Sequence, residues 1–185
     1  MRCFVAVEVP EEVRGLLVRV QEALRRADAD VKWVERENLH LTLKFLGDLG
    51  EEAAGRLGGT LAAEAARWPR LRLSFGGIGV FPERGAPRVV WAGCAGDVER
   101  LAGLAGAVER AAEAEGVERE RHPFVAHLTI GRVKSARNEK RLRAAIENQR
   151  VVPLGTSEVA ELALIQSTLT SAGPVYERVA TFRLG

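Results

Sequence analysis

The sequence predicts an α+β fold: two pseudo-symmetric lobes of mostly antiparallel strands, helices on their outer faces, and a central cleft. Three observations predict it. The stretch Leu39-His40-Leu41-Thr42-Leu43-Lys44-Phe45 alternates apolar and polar residues, which is the period of a half-buried strand. Ala126-His127-Leu128-Thr129-Ile130 repeats His-apolar-Thr-apolar at an offset of 87 residues. The same offset carries Phe4 onto Trp91 and Ile78 onto Ile165. The chain therefore reads as one unit met twice, approximately residues 1–86 and 87–185, each giving one histidine strand to the cleft. Residues 1–185 are read as a single bilobal domain, with exchange of strands between the lobes left open.

Each element has a local reason. Arg2 to Val9 alternates as a strand, and Pro10 ends it and suits the first turn of a helix. Val13, Leu16, Leu17, Val20 and Leu24 are spaced for one face of a helix over 11–27. Asp28 to Asp30 break it, and Val31 to Val34 is short and extended. The central strand follows and stops at Gly47-Asp48. Glu51 to Trp68 reads as a helix with an acidic start, as the macrodipole favours. Leu71 to Phe81 alternates, and Gly76-Gly77 suggests a bulge or a close backbone approach. Pro82 to Pro87 is a turn, Arg88 to Ala92 a strand, and Asp97 the cap of a helix reaching about Glu115. Glu118 to Pro123 is a charged loop, and the second histidine strand starts near Phe124. A short helix over 138–148 precedes a strand within Val151–Gln166. A hairpin turns at Ser171 to Pro174, and a closing strand runs to Arg183.

Composition narrows the class of protein. Apolar content of 46% with 28% charge is ordinary for a soluble globular chain, and a net charge of +2 does not by itself imply a nucleic-acid binder. The opening MRCFVAVEVPEEV has too short an apolar run for a signal peptide, and no run of about 18 apolar residues exists, so a cytoplasmic protein away from membranes is expected. Cys3 and Cys94 lack CxxC spacing and read as buried reduced thiols.

Histidine occurs three times, at His40, His122 and His127. Two imidazoles facing across a cleft make a general acid and a general base, because their ordinary pKa lets one be neutral and the other protonated near neutral pH. Thr42 and Thr129, on the same strand faces, add hydroxyl donors. Four converging donors suit a phosphate. No DxD-type acid cluster is present, and a zinc site would want a third ligand that only His122 could supply, so no metal and no cofactor are expected. By symmetry the two histidines are equivalent as acid and base.

These segments resemble the 2H phosphoesterase superfamily, whose two HxTx motifs match HLTL at His40–Leu43 and HLTI at His127–Ile130. WVERENLHLTLKFLGD, RCFVAVEV and HLTIGR are similar to its RNA 2′,3′-cyclic phosphodiesterase branch, also called 2′-5′ RNA ligase-like proteins. QSTLTSAGPVYERV resembles that branch's C-terminal segment through Ser167, Leu169, Gly173 and Tyr176. Ala126 departs from the family's usual proline before the second histidine. The resemblance implies metal-independent opening of a 2′,3′-cyclic phosphate to a 2′-phosphate. His40 would be the proton donor to the 3′ oxygen and His127 the proton acceptor that activates water. Thr42, Thr129 and Arg132 would bind the phosphate. The implied partners are RNA 3′ ends with a cyclic phosphate, or related nucleotides, met by a monomer. Ligation of RNA halves, hydrolysis of small cyclic nucleotides and a catalytically weak binding module are the alternatives.

Some positions carry two readings. Strict alternation from His127 puts Arg132 on the apolar face unless Gly131 marks a bulge or a strand end. Lys44 shares the phase of His40 and reads equally as a surface lysine. Phe45 is out of phase and reads as core, with base stacking as the alternative. His122 reads as a surface loop residue, and Tyr176 as core or cleft. The basic run Arg132, Lys134, Arg137, Lys140, Arg141 and Arg143 is either a solvated face or a track for an RNA backbone.

Overall fold

A computed structural model describes residues 1–185 throughout. In chain order the elements are β1 (Arg2–Glu8), α1 (Glu11–Arg25), β2 (Val31–Trp33), a 3-10 turn (Arg36–Asn38), β3 (His40–Asp48), α2 (Glu51–Ala65), β4 (Leu71–Phe81), β5 (Val89–Gly96), α3 (Val98–Ala114), β6 (His127–Val133), α4 (Glu139–Asn148), β7 (Pro153–Val159), β8 (Glu161–Thr170) and β9 (Gly173–Arg183). Two sheets form. One has four strands in the order β3-β1-β8-β9 and the other five in the order β2-β6-β5-β4-β7. Every pairing in both is antiparallel.

The sheets take strands from both ends of the chain. β8 pairs with β1 beside β3, and β4 pairs with β5 beside β6. The helices cross over likewise. α1 and α4 pack on the five-stranded sheet through β7 and β4, whereas α2 and α3 pack on the four-stranded sheet through β8, β9 and β3. One apolar core of 41 buried residues, including Leu17, Leu41, Leu57, Leu104, Leu128 and Leu154, spans both sheets and the helices. A second, small cluster of Phe4, Ala6, Ala163 and Ile165 lies on the opposite face of the four-stranded sheet. Its residues alternate with Cys3, Val5 and Val7 of the main core, as the period of two requires.

Several boundaries differ from the sequence expectation, each for a tertiary reason. The expected single strand within Val151–Gln166 is two strands. The chain leaves β4's edge and joins β1's edge across Ala160, a change of sheet that no local pattern encodes. β5 runs on to Gly96 because its ladder with β4 continues to the Leu73–Gly96 pair. β6 starts only at His127, without a ladder for Phe124 to Ala126. The helix expected over Glu51–Trp68 closes at Ala65, and Arg67 and Trp68 follow as a turn. Asp97 does precede α3, but its carboxylate accepts the Arg72 N–H at 2.8 Å instead of capping the helix. Gly77 is the bulge foreseen in β4. It sits at φ +72°, and a Cβ there would lie 2.5 Å from the Arg150 carbonyl oxygen.

Candidate active site

β3 is an edge strand of one sheet, β6 lies one strand in from the edge of the other, and the two pack against each other. The His-x-Thr pairs open both strands, so His40 with Thr42 and His127 with Thr129 line one cavity of about 990 Å³. Gln21, buried on α1, donates to the carbonyls of Val34 and Ile130, both at 2.9 Å, and so locks the β2 end and β6 together behind the cleft.

A bulge comes directly after each threonine. β1 pairs Val5 with Lys44 and Ala6 with Thr42, leaving Leu43 as the extra residue. β5 pairs Val90 with Gly131 and Trp91 with Thr129, leaving Ile130 as the extra residue. An extra residue reverses the alternation beyond it. Arg132 is thereby turned out to the cavity with His127 and Thr129, which resolves its face. The same reversal corrects the reading of β3. Lys44 is 4% exposed and Phe45 60% exposed, so Phe45 is cavity lining and not core, and Lys44 is not a surface residue. Gly131 completes the β6 bulge, because a Cβ there would meet the Trp33 ring at 2.9 Å.

Both imidazoles are oriented in one way. His40 Nδ1 lies 2.6 Å from the Asn38 carbonyl and His127 Nδ1 lies 2.7 Å from the Val125 carbonyl. A carbonyl only accepts, so Nδ1 carries a proton in each ring, and Nε2 is the nitrogen that gains or loses one. Nε2 of His40 lies 2.8 Å from Thr42 Oγ1, and when neutral it accepts that hydroxyl proton. The Nε2 of His127 has no protein partner.

Their surroundings differ. The His40 ring stacks on Phe4 at 4.7 Å between centroids and meets the edge of Tyr176 at 5.4 Å. Phe4, Ala6, Ala163 and Ile165 form an apolar floor beneath it. This burial lowers the His40 pKa to about 4. The Asn38 carbonyl opposes that shift, and the nearby Arg14 guanidinium adds to it. His127 meets Phe81 edge-on at 5.4 Å and lies in a more open setting. Tyr176 is half-buried beside the cavity, and burial raises its hydroxyl pKa against the opposing pull of Arg132 and Arg2.

A charged loop closes one side of the cavity with Arg119, Arg121, His122 and Phe124. Lys44 holds it from below. Its ammonium donates to Glu109 Oε1 and to the Glu118 carbonyl, both at 2.8 Å, and the same Glu109 oxygen accepts the Glu120 N–H at 2.9 Å. His122 is an exposed residue of this loop that also lines the cavity. No group of three His, Cys, Asp or Glu side chains that could hold a metal occurs. Half of the basic run, Arg137, Arg141 and Arg143, is engaged with backbone. Arg137 and Asn138 donate to the Asp28 carbonyl, Arg141 to that of Arg26, and Arg143 to those of Glu83 and Gly85. Both cysteines are free. Cys3 is buried, while Cys94 is only half-buried, with its thiol pKa raised by burial to about 11. No helix is long and apolar enough to cross a membrane.

The sequence profile of the LigT like Phosphoesterase family matches residues 7–91 and 95–176. The chain belongs to this family. It is 39% identical over 184 residues to the RNA 2′,3′-cyclic phosphodiesterase of Methanothermobacter thermautotrophicus, covering 100% of this chain and 99% of that protein. It is 36% identical over 188 residues to the RNA 2′,3′-cyclic phosphodiesterase of Aquifex aeolicus, covering 100% and 98%. Among solved structures, TT0787 of Thermus thermophilus superposes with a TM-score of 0.81 at 33% identity, covering 100% of this chain and 98% of that one. E. coli LigT complexed with 3′-AMP superposes with a TM-score of 0.79 at 25% identity, covering 99% and 97%.

In this LigT-like phosphoesterase, sequence reasoning missed three supporting residues. Asn38 donates from Nδ2 to the Pro174 carbonyl at 3.0 Å while its own carbonyl orients His40. Gln21 and Glu109 act through partners far away in sequence. A polar side chain at a helix position that would otherwise be apolar was the only available signal for Gln21, which sits among Leu17, Val20 and Leu24 on the buried face of α1.

Proposed function

We propose that this chain hydrolyses 2′,3′-cyclic phosphate ends of RNA to 2′-phosphate ends by a two-histidine mechanism that needs no metal. The observation that carries the reading is the meeting of His40, Thr42, His127, Thr129 and Arg132 around one cavity. The names of the full-length relatives support the substrate class.

His127 is the base and His40 the acid. His127 is the more open ring with an unpartnered Nε2, which suits a residue that must meet water. It takes a proton from water as the water oxygen bonds to phosphorus. The bond from phosphorus to O3′ breaks, and His40 Nε2 gives its proton to O3′. Solvent then returns one proton to His40 and removes one from His127. Burial keeps His40 neutral in the empty cleft. The anionic cyclic phosphate supplies the charge that lets it protonate, since an opposite charge a few ångströms away favours the charged form. Thr42, Thr129 and Arg132 hold the non-bridging oxygens, where charge builds in the transition state. We further read residues 1–86 and 87–185 as two copies of one unit that exchange β2 and β4 for β8 and β9, a single bilobal domain acting as a monomer.

Steady-state turnover of a cyclic-phosphate-ended RNA by H40A and H127A tests the reading. Each variant loses about 10²-fold or more in kcat while substrate binding largely persists. Activity retained in both variants contradicts it.

A further inference from the structure

We propose that Lys32, standing beside Arg132, forms a subsite for the phosphodiester on the 5′ side of the reacting nucleotide. The cleft then selects RNA ends over single nucleotides. This inference rests on the cyclic-phosphate reading above and extends it to the next backbone unit.

Strand register sets the two cations side by side. β2 is an edge strand of three residues, and its Lys32 is the direct partner of Arg132 on β6. Directly opposed residues of an antiparallel pair project from one face with their Cβ atoms about 5 Å apart, and like charges so placed are destabilising. Neither cation has an acid to offset this, since no salt bridge of the chain includes Lys32 or Arg132. Both are exposed and both line the cavity. Glu35 is the one acid that β2 and its connection to β3 bring to the cavity lining, and it pairs with neither.

The bulge at Ile130 gives the pair its direction. Arg132 is two ladder steps beyond Thr129, about 7 Å along β6. Lys32 lies laterally beyond Arg132 on the outermost strand. The cationic row thus starts at the His127 and Thr129 end and runs outward, past where one phosphate sits. The cavity follows it, lined by Lys32, Trp33, Val34 and Glu35. Its volume of about 990 Å³ is at the upper end for a single drug-sized ligand, which leaves room beyond one nucleotide. A guanidinium fork next to an ammonium suits successive phosphates, the first held by planar hydrogen bonding and the second by a point charge.

The test compares a nucleoside 2′,3′-cyclic phosphate with a dinucleotide that ends in the same group, in wild type, K32A and K32R. Wild type shows a higher kcat/KM on the dinucleotide. In K32A the ratio of the two kcat/KM values falls about tenfold, and the dinucleotide's salt dependence becomes shallower, as loss of one phosphate contact requires. K32R restores most of the ratio. An unchanged ratio overturns the subsite, and so does an equal loss on both substrates, which would put Lys32 at the reacting phosphate. A wild-type protein that opens neither substrate refutes the cyclic-phosphate reading itself. Calorimetric affinities for a dinucleotide 3′-phosphate and a nucleoside 3′-phosphate then still decide the subsite, which predicts selective weakening of the dinucleotide in K32A.

Discussion

Phe45 and Arg132 occupy equivalent places on the two histidine strands, 87 residues apart, each turned into the cleft by a bulge one residue after a threonine. One strand thus presents an aromatic face where the other presents a cation. A cyclic phosphate joined to a base has use for both, which gives the pair a chemical logic. Phe45 is 60% exposed, and its ring centroid lies 6.0 Å from that of its neighbour Phe4. F45A therefore changes unfolding free energy by less than about 1 kcal/mol. It raises KM about tenfold, the loss expected when a base loses its stacking surface. Denaturant unfolding and initial rates measure the two effects.

The buried setting of His40 makes stability depend on pH in a definite direction. Its folded pKa of about 4 lies below the ordinary value of 6.5. Above pH 6.5 neither folded nor unfolded chain carries this proton. Between 6.5 and 4 the unfolded chain takes it up and the folded chain refuses it. Stability present above pH 6.5 is therefore lost as pH falls toward 4, by on the order of 3 kcal/mol. Unfolding of wild type and H40Q across this window isolates the contribution, with the variant showing the flatter profile. Proton NMR of the imidazole should also show the His40 titration moving upward when inorganic phosphate is added.

Lys44 ties three segments together through Glu109 and the Glu118 carbonyl. K44M leaves Glu109, which is 19% exposed at its side chain, without its cation. The expected cost is roughly 1–3 kcal/mol of stability. Amide exchange should speed up over residues 118–126, the loop that leads into His127. Faster exchange spread evenly over the whole chain would contradict this local role.

Much of this structure is legible in the sequence, and the rest is hidden for physical reasons. Period-two alternation places β1, β3, β4 and β6 well because burial of one face dictates it. The two His-Thr pairs and Arg132 do meet at one cavity. The phase beyond each threonine is illegible, because the bulges at Leu43 and Ile130 arise in pairing with β1 and β5, far off in the chain. That is why Phe45 reads as core and Lys44 as surface. Burial of Lys44 depends on Glu109, 65 residues away, and the orientation of His40 on an Asn38 tied to Pro174, 136 residues away. The split of Val151–Gln166 into β7 and β8 depends on which sheet edge each joins, a property of the assembled fold.

Hydrolysis with the leaving oxygen protonated by His40 and water activated by His127 is the central claim. It is tested most directly by incubating a short RNA ending in a 2′,3′-cyclic phosphate with the protein in the presence of EDTA and identifying the product end. The predicted result is complete conversion to a 2′-phosphate, at a rate that chelation leaves unchanged. A 3′-phosphate product, or activity abolished by EDTA, would contradict it.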